Sequence, residues 1–329
     1  MRTCSIPQDH SPQTGEILVD RTVTGRLRPW AAKHVAGRQV AAAYSALGQP
    51  GKAARCRDCG TVLVFAECPV DGQKRLQKAG FCRERLCPMC AWRRSLKWAA
   101  EVSRVLHQAA VEHPEWGYIM LTLTQRNVPG AALPAEISRI LRGWNRLAQR
   151  KEFGAVAGWL RTLEVTRNPR DATWHPHVHA LLTVEPDYWH KRYVAHARWV
   201  ALWREVLGLA YDPSVEVHRV KARRDGDPLA AAAQEVGKYT VKDADLVGDG
   251  TDVIARVETL DAALKGRRLL AWGGGLRQIA RRVTPEVPEA EEDLVHITEE
   301  DHGATCPVCG TELRERVYRW VEAVRNYVG

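Results

Sequence analysis

Two Cys-x-x-Cys pairs, Cys56-Arg57-Asp58-Cys59 and Cys87-Pro88-Met89-Cys90, constrain this chain more than any other feature. Paired thiols at that spacing are the pattern of a zinc site built from two knuckles. Segments far apart in sequence must then return to one ion, which fixes the path between them. Cys82 competes for the fourth ligand position, and Cys68 is a weaker candidate. A third pair, Cys306-Pro307-Val308-Cys309, stands alone near the C-terminus. His296 and His302 are close enough in sequence to complete a second zinc site with it, and a leftover upstream cysteine is the alternative partner. Nine cysteines would suggest disulfides in an exported chain. Residues 1–20 show no apolar stretch behind their basic residues, and no run of about eighteen apolar residues occurs. The expectation is therefore a cytoplasmic protein without a membrane span, its cysteines reduced and metal-bound.

The net charge of +9 favours a polyanionic partner, nucleic acid being the commonest. The charge is uneven. Arg83, Arg85, Arg93, Arg94 and Lys97 crowd the segment around the second Cys pair, where they are placed to meet phosphates. Glu286, Glu289, Glu291, Glu292, Asp293, Glu299, Glu300 and Asp301 form an acidic stretch that reads as a solvated linker.

Periodicity predicts helices over residues 31–47, 92–108, 135–150, 188–207 and 230–242, and strands over 118–124, 160–166, 174–184 and 214–220. The polar stretch 167–173 reads as a hairpin loop that makes its two strands antiparallel neighbours. The order of elements predicts an α+β fold on a mostly antiparallel sheet flanked by helices. At 329 residues the chain is long enough for roughly two or three compact units.

The strand over 174–184 opens with His175-Pro176-His177-Val178-His179. Side chains alternate along a strand, so His177 and His179 share a face one pleat apart, while Val178 anchors the other face in a core. Glu164, on the preceding strand, is the natural third ligand, since paired strands lie about 5 Å apart. Two imidazoles and a carboxylate leave open positions on a divalent ion, as catalysis requires. His175 shares that face and is an alternative ligand or a support for the others. Farther on, Glu235 and Tyr239 would share one face of a helix, with Lys242 nearby. A tyrosine hydroxyl, with a pKa near about 10, needs an adjacent cation or a polarised phosphate before it serves as a nucleophile.

Taken in order, Leu121-Thr122-Leu123-Thr124, the His175–His179 motif, and Glu235 with Lys238, Tyr239 and Lys242 resemble the three motifs of plasmid rolling-circle replication initiators. These are Rep proteins of the HUH endonuclease superfamily, named for His-hydrophobic-His, of the single-tyrosine type with Glu in place of a second Tyr. The segment 81–95, with its cysteines and arginines, is similar to the region upstream of the nuclease core in one large Rep family. The resemblance divides the chain into an N-terminal helical segment (1–50), a zinc-binding module (51–100), an HUH endonuclease core (101–248) and a C-terminal segment (249–329). It implies that Tyr239 attacks a phosphodiester at the plasmid origin, leaving a 5′-phosphotyrosine and a free 3′-OH. Glu235 then activates water at termination, and His177 and His179, with a third ligand, hold Mg²⁺ or Mn²⁺. Lys238 joins the arginines in binding DNA, either a single-stranded or hairpin nick site with its adjacent duplex. No Gly-x-x-x-x-Gly-Lys-Ser/Thr occurs, so unwinding falls to a host helicase. Self-association as a homodimer is left open.

Other readings compete. A single-tyrosine HUH transposase would use the same chemistry. Relaxases place the tyrosine before the histidine motif, the reverse of the order here. A small-molecule hydrolase would need further ligands on later strands, where only His218 is available. A non-enzymatic zinc-dependent DNA-binding regulator would retain DNA binding without nicking.

Overall fold

The computed structural model describes residues 15–22, 24–220, 229, 233, 236, 241–248, 250–284, 287–288, 291–297 and 304–329. Helices α1 (Trp30–Ala46) and α2 (Pro50–Asp58) lead into a hairpin of β1 (Val62–Glu67) and β2 (Lys74–Ala79). The long α3 (Pro88–Glu112) begins inside the second Cys pair, with Pro88 in its first turn, where the missing N–H costs nothing. Then come β3 (Gly117–Leu123), α4 (Leu133–Leu147), β4 (Val156–Arg167), β5 (Trp174–Val184), α5 (His196–Leu207) and β6 (Val215–Arg219). The remaining described elements are α6 (Asp243–Leu246), α7 (Val253–Leu264), β7 (Leu270–Gly273), α8 (Gly274–Val283), β8 (Arg314–Val321) and β9 (Asn326–Val328).

A five-stranded antiparallel sheet in the order β6-β3-β5-β4-β7 forms the centre. Its two faces differ. On one, Val178, Ala180, Leu182 and Val184 are buried with Ile137, Ile140 and Trp144 of α4 and Trp199 and Trp203 of α5. The other carries Leu181, His179 and His177 of β5 opposite Leu160, Thr162 and Glu164 of β4. Helices α3 and α8 cover only the apolar end of that face. Val102, Val105, Leu106, Leu276 and Ile279 pack there with Leu160 and Leu181, and Ala233 and Val236 join the same cluster. The alternation of β5 therefore builds a core on one side and a polar site on the other.

The α+β architecture predicted by periodicity is the one observed, and two of its departures from the expected organisation stand out. Residues 188–207 are not one helix. The Asp187 carbonyl accepts the N–H groups of His190, Lys191 and Arg192, closing a short turn at Pro186–Trp189 before α5 begins. Residues 249–329 also do not stand apart. β7 is an edge strand of the large sheet, while β8 and β9 complete a second sheet in the order β2-β1-β8-β9. β8 pairs with β1 from Val62↔Arg319 to Glu67↔Arg314. Its charged sequence buries Tyr318 alone, so no apolar alternation announces the strand. No described helix is long and apolar enough to cross a membrane.

Candidate functional site

The 168–173 turn, closed by a bond from the Asn168 N–H to the Thr173 carbonyl (2.8 Å), sets β4 and β5 in the register Glu164↔His177 and Thr162↔His179. The Nε2 atoms of His177 and His179 then converge on one carboxylate oxygen, Glu164 Oε2, at 3.5 and 3.0 Å. The opposite ring nitrogens are engaged elsewhere. His177 Nδ1 lies 3.1 Å from the His175 carbonyl, and His179 Nδ1 lies 3.1 Å from the Thr122 hydroxyl. Each of these oxygens can accept an Nδ1–H, which frees the Nε2 lone pairs to face a cation. One donor atom from each of Glu164, His177 and His179 fits within 4.8 Å of the others, the arrangement of a three-ligand divalent site.

Glu164 is buried, and burial alone would raise its pKa. Contacts with His177, His179 and Lys242 outweigh that and hold the carboxyl well below the usual carboxylate range. Lys242 Nζ stands 2.9 Å from the second oxygen, Oε1. Arg161, on the same strand as Glu164, is buried and donates to the Arg268 and Leu269 carbonyls at 3.1 and 3.2 Å. His175 stacks on His177 with ring centres 5.0 Å apart, outside the three-donor group. Glu235, Lys238 and Tyr239 lie outside the described residues. Val236 and Lys242, three residues before and after Tyr239 in sequence, are both fixed on the face that carries the triad.

The upstream cysteines gather where α3 starts. Sulfurs of Cys59, Cys82, Cys87 and Cys90 lie within 4.8 Å of one another, and the Cys56 thiol hydrogen-bonds Cys82 and Cys87. The Cys59–Cys90 and Cys82–Cys90 separations of 3.5 and 3.6 Å are near the edge of a ZnS₄ tetrahedron, about 3.8 Å for bonds of about 2.3 Å. Backbone N–H groups of Cys82 and Arg83 point at the sulfurs of Cys59 and Cys90, helped by a left-handed Arg83 (φ 58°). Hydrogen bonds from Cys56 and Cys59 lower the Cys82 thiol to about 5. The same hydrogen bonds lower Cys87 and raise Cys56, Cys59 and Cys90, as in thiols packed closely enough to share protons, and that close packing of sulfurs suits a cation. Cys306 and Cys309 meet Cys68 and Asp71 instead of His296, which is held by Asp293 at 3.0 Å in its own turn. His302 lies outside the described residues.

The arginines around Cys87 divide, which corrects part of their expected role. Arg93 and Arg94 are buried. Arg93 donates to the Leu294 and Val295 carbonyls, both at 2.8 Å, and Arg94 pairs with Glu292 at 2.8 Å. Arg83 donates to the Glu292 carbonyl at 2.9 Å. These three hold residues 292–295 against α3 and the turn before it, so Glu292 is a buried plug instead of part of a solvated linker. Arg85 and Lys97 do line a cavity of about 620 Å³ along β7, together with Arg267, Arg268, Arg277 and Arg281. Trp272 also lines it, offering a flat ring beside the cations. Sequence reasoning missed this second cluster, although Arg267-Arg268 and Arg277, Arg281 and Arg282 stand close together around the triple glycine.

Residues 73–328 match a family model described as a replication protein. A protein named "Protein rep" from Bacillus amyloliquefaciens is 38% identical over 336 residues, covering 95% of this chain and 97% of that protein. Its namesake in Lactiplantibacillus plantarum is 34% identical over 319 residues, covering 95% and 98%. Another in Streptococcus pneumoniae is 33% identical over 292 residues, covering 87% and 89%. No solved structure matches the chain.

Proposed function

This chain belongs to the Rep_1 family of replication proteins, and from that premise we propose that it initiates rolling-circle replication of a plasmid by nicking, and later rejoining, one strand of the origin. The observation that carries this reading is the convergence of the His177 and His179 Nε2 atoms on Glu164 with both Nδ1 atoms tied back. That donor set fits Mg²⁺ or Mn²⁺ with open positions for a phosphate oxygen, and bound there the ion would supply Lewis-acid polarisation. The family resemblance of the motifs assigns the rest. Tyr239 attacks the scissile phosphorus, its oxygen forming the new P–O bond while the bond to the 3′ oxygen breaks. The phenol loses its proton, the 3′ oxygen leaves as a hydroxyl, and the 5′ phosphate stays on Tyr239. Lys242, paired to Glu164, sets a cation beside the phosphate and steadies the carboxylate. Glu235 removes a proton from the water that hydrolyses the final link. The clustered upstream cysteines hold a structural Zn²⁺, and a host helicase opens the duplex.

The test is incubation of the full chain with single-stranded origin DNA and Mn²⁺, followed by mass spectrometry of the trapped adduct. A covalent link on Tyr239 is expected, with nicking lost and DNA binding kept in Tyr239→Phe. An adduct on another residue, or undiminished nicking by that variant, overturns the assignment.

A further inference from the structure

Cys68-Pro69-Val70-Asp71-Gly72 and Cys306-Pro307-Val308-Cys309-Gly310 are the same pentapeptide, differing only at the fourth position. They also fold alike. The Gly72 N–H donates to the Cys68 carbonyl (3.0 Å) and the Gly310 N–H to the Cys306 carbonyl (2.9 Å). The Cys68 N–H reaches the Gln73 carbonyl and the Cys306 N–H the Thr311 carbonyl, at 2.9 and 2.8 Å. Both turns close on a left-handed glycine, with φ 71° at Gly72 and 70° at Gly310. The first turn joins β1 to β2, and the second precedes β8, the strand paired with β1. That pairing brings the turns face to face. Cys68 Sγ lies 3.4 Å from Cys309 Sγ, and Cys306 Sγ lies 3.2 Å from Asp71 Oδ2. Donor atoms of all four residues fall within 4.8 Å of one another.

We propose that these two turns are the halves of a split zinc knuckle, with Cys68, Cys306 and Cys309 as thiolate ligands and Asp71 as the fourth. Zn²⁺ accepts sulfur and carboxylate oxygen in one tetrahedron, and each turn offers its first and fourth side chains to a common point. The thiols and carboxylate are too close to share the site comfortably as anions without a cation, and at 3.4 Å the Cys68 and Cys309 sulfurs are not joined as a disulfide. The ion would tie the last two strands to the first hairpin across 241 residues of chain. A link of that length restrains the unfolded chain strongly. Here zinc acts as a clasp on the small sheet, independent of the nuclease triad.

Zinc is counted by elemental analysis on the full chain, purified under reducing conditions. About two ions per chain are expected for the unaltered protein, and about one for Asp71→Ala and Cys309→Ser. Asp71→Cys is the control that keeps four ligands by exchanging the carboxylate for a thiolate, so it keeps the full count even if the deletion variants fold poorly. Loaded with Co²⁺, Asp71→Cys shows a stronger thiolate-to-cobalt charge-transfer band than the unaltered chain, because a sulfur replaces an oxygen. Unchanged zinc in both deletion variants, an unchanged cobalt band in Asp71→Cys, or a Cys68–Cys309 disulfide in the reduced preparation each overturns the proposal.

Discussion

His179 shows how much of the proposed metal site is decided by atoms that would never touch the ion. Its Nε2 can face a cation because the Thr122 hydroxyl, one strand away on β3, takes its Nδ1. Partners of this kind are worth roughly 10- to 100-fold in metal affinity when removed. Thr122→Val keeps the shape and the β-branching and deletes only the acceptor. It should bind Mn²⁺ within that range more weakly in calorimetric titration, with the thermal unfolding temperature little changed. Equal affinity would mean that the ring is oriented by packing alone. His177, His179 and Glu164 are legible in the sequence because period-two alternation and a short polar loop place them on one face and in neighbouring strands. Thr122 stands there only as part of a motif, since nothing local says which strand lies beside β5. Asp71 is invisible in the sequence as the proposed fourth ligand because the Cys-x-x-Cys spacing it completes contains only one cysteine.

At the scale of elements, long strands with an apolar alternation announce themselves, and charged, short or crowded ones do not. Periodicity bounds β5 correctly at 174–184, and the helices it predicts over 31–47 and 135–150 come within a few residues of α1 and α4. It misses β1, β2, β7, β8 and β9. Strands β2 and β8 are charged, β7 and β9 are short, and β1 is obscured by the cysteines around it. Their placement depends on partners far away in sequence, and pairing of that kind leaves no local period. The triple glycine 273–275 marks one such long-range approach. Gly274 has φ 57°, and a Cβ there would sit 2.5 Å from the Ala157 carbonyl and 2.9 Å from Gly158 Cα. Both obstacles are backbone of β4, which cannot turn aside as a side chain could. Gly274→Ala should therefore destabilise the chain by about 2 kcal/mol or more, combining left-handed strain with overpacking. Urea unfolding measures it, and a loss under about 0.5 kcal/mol would show that β7 and α8 shift freely on β4.

For the molecule as a whole, the net charge points toward nucleic acid but not toward the surface that meets it. Density of arginine in sequence singles out the segment after Cys82, yet Arg93 and Arg94 are consumed internally by residues 292–295, part of a stretch that sequence reads as solvated. Burial decides this, and burial follows from the packing of residues about two hundred positions apart. The cavity along β7 is a better candidate for a path of DNA toward the triad. Leu270 and Trp272 of β7 pack on the same side of the sheet as Leu160, and Leu270 pairs with Thr162, two residues from Glu164. Arg277 and Arg281 are exposed at its margin, one helical turn apart on α8. Every cation withdrawn from a DNA phosphate should reduce the dependence of log affinity on log salt by nearly one. Arg277→Ala with Arg281→Ala should thus weaken origin binding across all sequences and lower the salt slope by about two. Fluorescence anisotropy at several salt concentrations gives both quantities. An unchanged slope would remove this cavity from the DNA path and return attention to the exposed remainder of the basic surface.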